Sequence, residues 1–192
     1  MSHFFAYLSR MKDIRRWGLM RNNVTENIQE HSLQVAVVAH GLAVIRNRCF
    51  QGTVNPERVA LLARFHDASE VITGDLATPI KTFNPEIKTA YKHIEHVACE
   101  RLFRMLPPEL QPEYQSIFFA QPEEGACWEL VKAADKICAY LKCVEERRSG
   151  NPSFQKAEQT IREQIAALDL PEVAYFMTHY APSFSLTLDE LN

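Results

Sequence analysis

Apolar residues recur every three or four positions from one end of the chain to the other, and no stretch keeps the strict alternation of a half-buried strand. The pattern predicts an all-α protein. A first helix is expected over about residues 3–14, with Phe4, Phe5, Leu8 and Met11 as its apolar stripe. The second begins near Thr25 or Asn27 and runs through "EHSLQVAVVAHGLAVIRNR", apolar nearly all round and therefore expected to be central. Asn55, followed by Pro56, caps a third helix that continues to Ile72 and stops at Gly74. "GDLATPIKTFNPE" reads as a loop punctuated by Pro79 and Pro85. A long helix over about residues 86–105 ends at Pro107 and Pro108, and a turn-rich stretch leads to Gly125. "CWELVKAADKICAYLKCVEERRSG" is a further helix closed by Gly150, followed by one more helix and an extended tail, "APSFSLTLDELN".

Composition narrows the class without naming a function. A length of 192 residues suits one domain spanning 1–192, and neither an internal repeat nor a linker divides it. A net charge of −3 with dispersed arginines and lysines argues against a nucleic-acid polymer as partner. No run of about 18 apolar residues is present, and the first residues lack the features of a secretory signal, so no membrane association is expected. The five cysteines are odd in number and lack C-x-x-C spacing, which predicts reduced thiols and a cytoplasmic protein.

Chemistry enters through polar residues placed where the pattern asks for core. In "RFHDASEV", His66 and Asp67 are adjacent and point about 100° apart on a helix, so one narrow face cannot hide both. His31 lies in "TENIQEHSLQ", and Asp135 lies among core residues in "VKAADKICAYL", where a lone carboxylate would cost several kcal/mol. Taken singly, each is more often a surface or hydrogen-bonded core residue than a ligand. Together, two histidines and two aspartates suit a divalent ion of the Mn, Fe, Co, Ni or Zn group and are too nitrogen-rich for calcium. Other features carry less. His93 and His96 with Glu95 and Glu100 lack a third partner, and Cys138 and Cys143 face different ways on their helix. His40 is half a turn out of phase with His31 and reads as structural.

The order H…HD…D on successive helices is the signature of HD-domain metal-dependent phosphohydrolases, and the chain resembles their bacterial 5′-deoxynucleotidase branch. "RRWGLMRN", "TENIQEHSLQVA", "HDASEVITGDLATPIK", "KAADKICAYLKC" and "PSFSLTLDE" carry the likeness over essentially the whole chain. One departure is Ala77, where the family often has proline. The resemblance implies a single-domain HD-type helical bundle with a central metal site in a core of about residues 25–145. It makes His31, His66, Asp67 and Asp135 the metal ligands, with His31, Asp67 and Asp135 also lining the substrate site. The ion would be Co, Mn, Mg, Zn or similar, and the assembly a homodimer.

Glu70, one turn beyond His66 and Asp67 on the expected helix, is placed to approach a water at the ion without binding the ion itself. The resemblance makes it essential to catalysis. Asp75, with Leu76, Ala77 and Thr78, is expected to contact the substrate, Asp75 either protonating the departing 5′ oxygen or gripping the sugar. Arg16 and Arg15 are equal candidates for a phosphate clamp by residue chemistry alone, and Trp17 offers a flat wall for a sugar or base. The resemblance selects Arg16 and Trp17. The implied activity is metal-dependent hydrolysis of 2′-deoxynucleoside 5′-monophosphates to deoxynucleoside and phosphate. The alternatives are another HD phosphohydrolase acting on a nucleoside triphosphate or signalling nucleotide, and a catalytically idle helical module that uses the metal as a staple.

Overall fold

The computed structural model describes residues 1–81 and 83–192; Thr82, inside the expected loop, lies outside the described residues. Its frame is three helices, two opened by side-chain caps and the third closed at a glycine. Asn27 and Glu30 form a reciprocal capping box, with Glu30 N–H donating to Asn27 Oδ1 at 3.0 Å and Asn27 N–H to Glu30 Oε2 at 3.2 Å, and this opens α2 (Ile28–Cys49). Asn55 accepts from Arg58 N–H at 3.0 Å and, with Pro56 behind it, opens α3 (Pro56–Phe65). The third, α8 (Gly125–Arg148), runs to Gly150, whose φ of 84° is open to glycine without strain. Val35, Ala39 and Leu42 of α2, Val59 and Leu62 of α3, and Leu130, Ala134 and Ile137 of α8 are buried together, with Ile165, Val173 and Phe176 closing the cluster. Each fully buried aliphatic side chain of this kind contributes roughly 1.5–3 kcal/mol.

A second apolar cluster forms around Phe4, Met11, Ile28, Ala68, Val71 and Leu102. It joins α1 (Phe4–Leu8) and the 3₁₀ turns of Ser9–Asp13 to α4 (Glu70–Thr73) and α6 (Pro85–Phe103). The short α5 (Thr78–Lys81) precedes α6, α7 (Gln111–Phe118) follows it, and α9 (Gln155–Ala166) and α10 (Pro171–His179) complete the helices. On α2, Ile28 belongs to the second cluster and Val35 to the first, so His31 stands at the seam between them. Ala63 and Ala68 likewise flank His66 and Asp67.

Several elements differ from the pattern-based expectation. The first helix is one α-helical turn followed by 3₁₀ turns. The third breaks after Phe65 instead of continuing to Ile72. The His66 ring bonds the Ala63 carbonyl at 2.7 Å, the acceptor an unbroken α-helix would offer to the Asp67 N–H, and residues 66–69 tighten into turns instead. The stretch read as turn-rich contains α7, which accommodates Pro112 in its first turn and sets Tyr114 and Phe118 against Phe4 at ring separations of 5.1 and 5.9 Å. The C-terminal part holds two helices, parted at Asp169 (φ 52°), and the tail forms 3₁₀ turns over Ala181–Ser185 and Asp189–Leu191. Helix α2 is not buried all round: Leu33 and Val37 are 52% and 65% exposed, and His40 lies on the same open face, which removes its structural role.

One buried ionic cluster anchors the segment leading into α2. Glu146, fully buried near the end of α8, accepts from Lys142 Nζ at 2.7 Å, Asn151 Nδ2 at 2.8 Å, and the N–H groups of Asn23 and Val24 at 2.9 and 3.0 Å. Burial alone would raise its carboxyl, but Lys142 and the other donors hold it at about 2, against an ordinary 4.5. Glu146→Ala is expected to lower unfolding free energy by about 3 kcal/mol in urea titrations, because buried Lys142 is left with only the exposed Glu145 carboxylate, 3.4 Å away, as counter-charge. A folded-state value below the unfolded one stabilises above about pH 4.5, and that stabilisation disappears as pH falls toward 2. Glu146→Gln should therefore show a shallower loss of stability over that window than the parent protein.

Candidate active site

Helices α2, α3 and α8 bring the four singled-out residues together. His31, fully buried on α2, places Nε2 3.0 Å from Asp135 Oδ1 on α8 and 3.7 Å from Asp67 Oδ2. His66 places Nε2 3.1 Å from Asp67 Oδ2 and 4.0 Å from Asp135 Oδ1. One ligand atom each from His31, His66 and Asp67 lie within 4.8 Å of one another, and Asp135 joins them from the partly exposed side. With Nδ1 of His66 donating to the Ala63 carbonyl, Nε2 is the nitrogen turned toward the carboxylates, and it is buried without a hydrogen-bond partner. Two imidazole nitrogens and two carboxylates, one ring braced from behind by a carbonyl, fit a divalent transition metal. The charges say the same. Burial opposes a cationic His66, yet the Asp67 carboxylate outweighs it and pushes the imidazole up to about 9. Burial would raise Asp67, and His66 holds its carboxyl well below the usual range. A metal ion would take the place of that proton, so its binding should release one.

Glu70 stands beside this cluster, at the first position of α4 and so no longer on the helix of His66 and Asp67. It is buried; Oε1 lies 3.2 Å from Lys81 Nζ, while Oε2 has no hydrogen-bond partner among the described residues. Burial, reinforced by the charge of Asp67, pushes its carboxyl up to about 8, and Lys81 works in the opposite direction. Lys81 itself lies over the Tyr91 ring at 4.9 Å. Its pattern position, a lysine in a proline-rich loop, had not marked it. The ion pair ties α5 back to α4, and between them run Asp75, Leu76 and Ala77, all half-buried, with Thr78 opening α5. The Ala77 carbonyl receives the N–H groups of Ile80 and Lys81, so the loop turns here without the proline expected of the resemblance. Asp75 faces both Arg16 and Glu70 electrostatically.

Arg16 and Trp17 reach the site from the segment before α2. Arg16 N–H donates to the Glu26 carbonyl at 3.0 Å, and the neighbouring Arg15 pairs with Asn27 in an isolated bridge. The Arg15 residue is exposed, whereas the Arg16 guanidinium is largely buried, its Nη1 without a hydrogen-bond partner among the described residues, in the field of Glu26, Asp135, Asp67 and Asp75. Trp17 takes a φ of 60°, a strained value for a bulky residue, and packs on Phe154 at a ring separation of 5.2 Å. Its Nε1 donates to Glu26 Oε2 at 3.2 Å. Glu26 had not been singled out; its only sequence signal is that it precedes the Asn27 cap. Burial pushes its carboxyl up, but His31, Arg16 and Trp17 around it hold it below the usual range.

The lesser candidates stay apart. His96 pairs with half-buried Glu100 at 3.5 Å and packs on the Phe119 ring, and burial pushes the Cys138 and Cys143 thiols up, the latter to about 12. A cleft of about 650 Å³ between α8, α9 and α10, lined by Tyr140, Arg162, Leu170 and Met177, contains none of the site residues.

A family model described as 5′-deoxynucleotidase YfbR-like matches residues 3–184. A 5′-deoxynucleotidase of Yersinia pestis (strain Pestoides F) is 56% identical over 195 residues, covering 100% of this chain and 98% of the relative. The 5′-deoxynucleotidase of Yersinia pseudotuberculosis serotype O:3 (strain YPIII) matches with the same identity and coverage. Among solved structures, an HD-domain phosphohydrolase of Listeria innocua superposes with a TM-score of 0.83 at 22% identity, covering 95% of this chain and 88% of that one. The cyanophage S-2L HD phosphohydrolase DatZ, bound to dA and one catalytic Zn²⁺ ion, gives a TM-score of 0.67 at 20% identity, covering 93% and 96%. These two likenesses establish the HD-type fold.

The surroundings of Glu70 generate a direct titration test. In metal-free protein, ¹³C NMR of the glutamate carboxyls should place Glu70 near 8. Lys81→Met should move it higher, since removing the cation makes the carboxylate harder to form. A Glu70 midpoint near 4.5, or one indifferent to Lys81, would contradict the geometry.

Proposed function

The chain belongs to the YfbR-like 5′-deoxynucleotidase family, and from that premise we propose that it hydrolyses 2′-deoxynucleoside 5′-monophosphates to deoxynucleoside and phosphate at the His31, His66, Asp67 and Asp135 cluster. The observation that carries the reading is a buried guanidinium nitrogen of Arg16 with no partner, set beside a histidine and aspartate cluster that wants a cation. A divalent ion answers the cluster, and a phosphate dianion bound to that ion answers the guanidinium. In this reading the four residues hold one divalent ion, Mn, Co, Mg, Zn or similar, which supplies Lewis-acid stabilisation of phosphoryl charge and an acidified water.

The chain's own groups do the remaining work. Arg16 orients the phosphoryl group by its planar fork. Glu70 accepts the proton of the attacking water at Oε2, the oxygen with no hydrogen-bond partner among the described residues, and its burial makes the carboxylate a stronger base than a free glutamate. Lys81 keeps the other oxygen fixed at 3.2 Å, so the free one has a defined direction. Trp17, braced on Phe154, presents a rigid indole to the sugar, and the Asp75, Leu76, Ala77 and Thr78 segment closes the opposite side. A 2′-hydroxyl meeting that indole loses its water without gaining a partner, and this rejects ribonucleotides.

The full chain acts as one domain in this reading, supported by a site whose residues lie between members of both apolar clusters. A homodimer fits the open apolar stripe of Leu33, Val37 and Val44, and a cytoplasmic setting fits five free thiols.

The experiment is phosphate release from paired substrates such as dAMP and AMP, with and without chelator and added Mn²⁺ or Co²⁺. Activity with deoxynucleoside 5′-monophosphates, its loss on chelation, and its loss in His66→Ala and Asp67→Ala are the expected results. Glu70→Ala should lower kcat by roughly 10²-fold or more while metal remains bound. Release of pyrophosphate or triphosphate from a nucleoside triphosphate, or full activity in metal-free protein, would contradict the reading. For Trp17→Ala, a narrower ratio of kcat/KM for dAMP over AMP is expected; an unchanged ratio would transfer sugar selection to the Asp75 loop.

A further inference from the structure

Glu26 touches the three parts of the site that do different jobs. Its Oε2 accepts from Trp17 Nε1 at 3.2 Å and lies 3.4 Å from Arg16 Nε. Its Oε1 faces His31 Nδ1 at 3.7 Å, and that nitrogen has no hydrogen-bond partner among the described residues. The opposite nitrogen of the same ring, Nε2, is the one turned to Asp135 and Asp67. The carboxylate is only 11% exposed, and the Arg16 N–H bond to the Glu26 carbonyl fixes the backbone under it. An indole N–H, a guanidinium N–H and an imidazole N–H are all donors. Only an ionised carboxylate offers acceptors, and no donor, on both of its ends.

Resting on the substrate reading above, we infer that Glu26 is a positioning residue that couples sugar selection to metal affinity: one oxygen holds the Trp17 indole and Arg16, while the other fixes the His31 ring with its Nδ1 proton inward. A carboxylate behind a ligating histidine sets the ring's tautomer and orientation and makes the facing nitrogen a better donor to metal. The same carboxylate holds an indole whose backbone is strained, and so determines whether a flat wall stands beside the phosphate site.

Glu26→Gln keeps the shape but puts an NH₂ group against a donor whichever way the amide turns, so at least one side must lose its acceptor. Two quantities read the two sides in full-length protein. The Mn²⁺ dissociation constant, from EPR titration without substrate, reads His31; the ratio of kcat/KM for dAMP over AMP reads Trp17. Glu26→Ala is expected to weaken Mn²⁺ binding by about 10–100-fold and to narrow the ratio, and Glu26→Gln to do at least one of the two. Trp17→Phe, which removes the indole N–H with the pyrrole half of the ring, should narrow the ratio and leave Mn²⁺ affinity unchanged. Folded Glu26→Gln with both quantities at parental values would overturn the inference, as would folded Glu26→Ala that moves one alone. Should Glu26→Ala not fold, Glu26→Gln and Trp17→Phe decide. A parental ratio near one would instead count against the substrate reading, and the Mn²⁺ titration would then decide the role of Glu26 at His31.

Discussion

Burying imidazole and carboxylate groups together at the seam of two apolar clusters is the constraint on which the molecule depends. His31 has no solvent access, and a polar group so placed costs several kcal/mol unless partnered. Its partners come from two other parts of the chain, Asp67 in the turn just beyond α3 and Asp135 on α8. Helices α2, α3 and α8 meet because Val35, Leu42, Leu62, Leu130 and Ile137 pack together, and the polar cluster is held where that packing ends and the Phe4 and Ile28 cluster begins. Apolar burial therefore supplies the position, and charge supplies the reason for a cation to be there.

Support for the site comes from behind. The Ala63 carbonyl turns the His66 ring, and in doing so ends α3 early and redirects the chain so that Glu70 starts a new helix facing Lys81. The segment bearing Arg16 and Trp17 is fastened at its far end by Asn23 and Val24 bonding to Glu146, and at its near end by the Ile28 N–H donating to the Ile14 carbonyl. A strained tryptophan backbone persists only where such fastenings over-determine it.

Much of this was legible from residue pattern. The cap at Asn55 and the stops at Gly74 and Gly150 follow from local chemistry, and all four cluster residues stood out as polar groups on apolar stripes. What was hidden depends on contacts distant in sequence or on side chains competing with backbone. The break at His66 requires knowing that its ring occupies the Ala63 carbonyl. Helix α7 was masked by prolines at 107, 108 and 112, whose tolerance in a first turn depends on where the turn starts. Glu26 and Lys81 look like ordinary charges beside helix ends until the fold sets them against His31 and Glu70. The open stripe on α2 is equally invisible, since a leucine facing solvent and one facing core have the same spacing.

Anomalous diffraction from crystals soaked in Co²⁺ tests the central claim most directly. The account predicts the strongest peak between His31 Nε2, His66 Nε2 and the carboxylates of Asp67 and Asp135. No peak there, or a stronger one at the exposed His93 and His96 surface of α6, would contradict it.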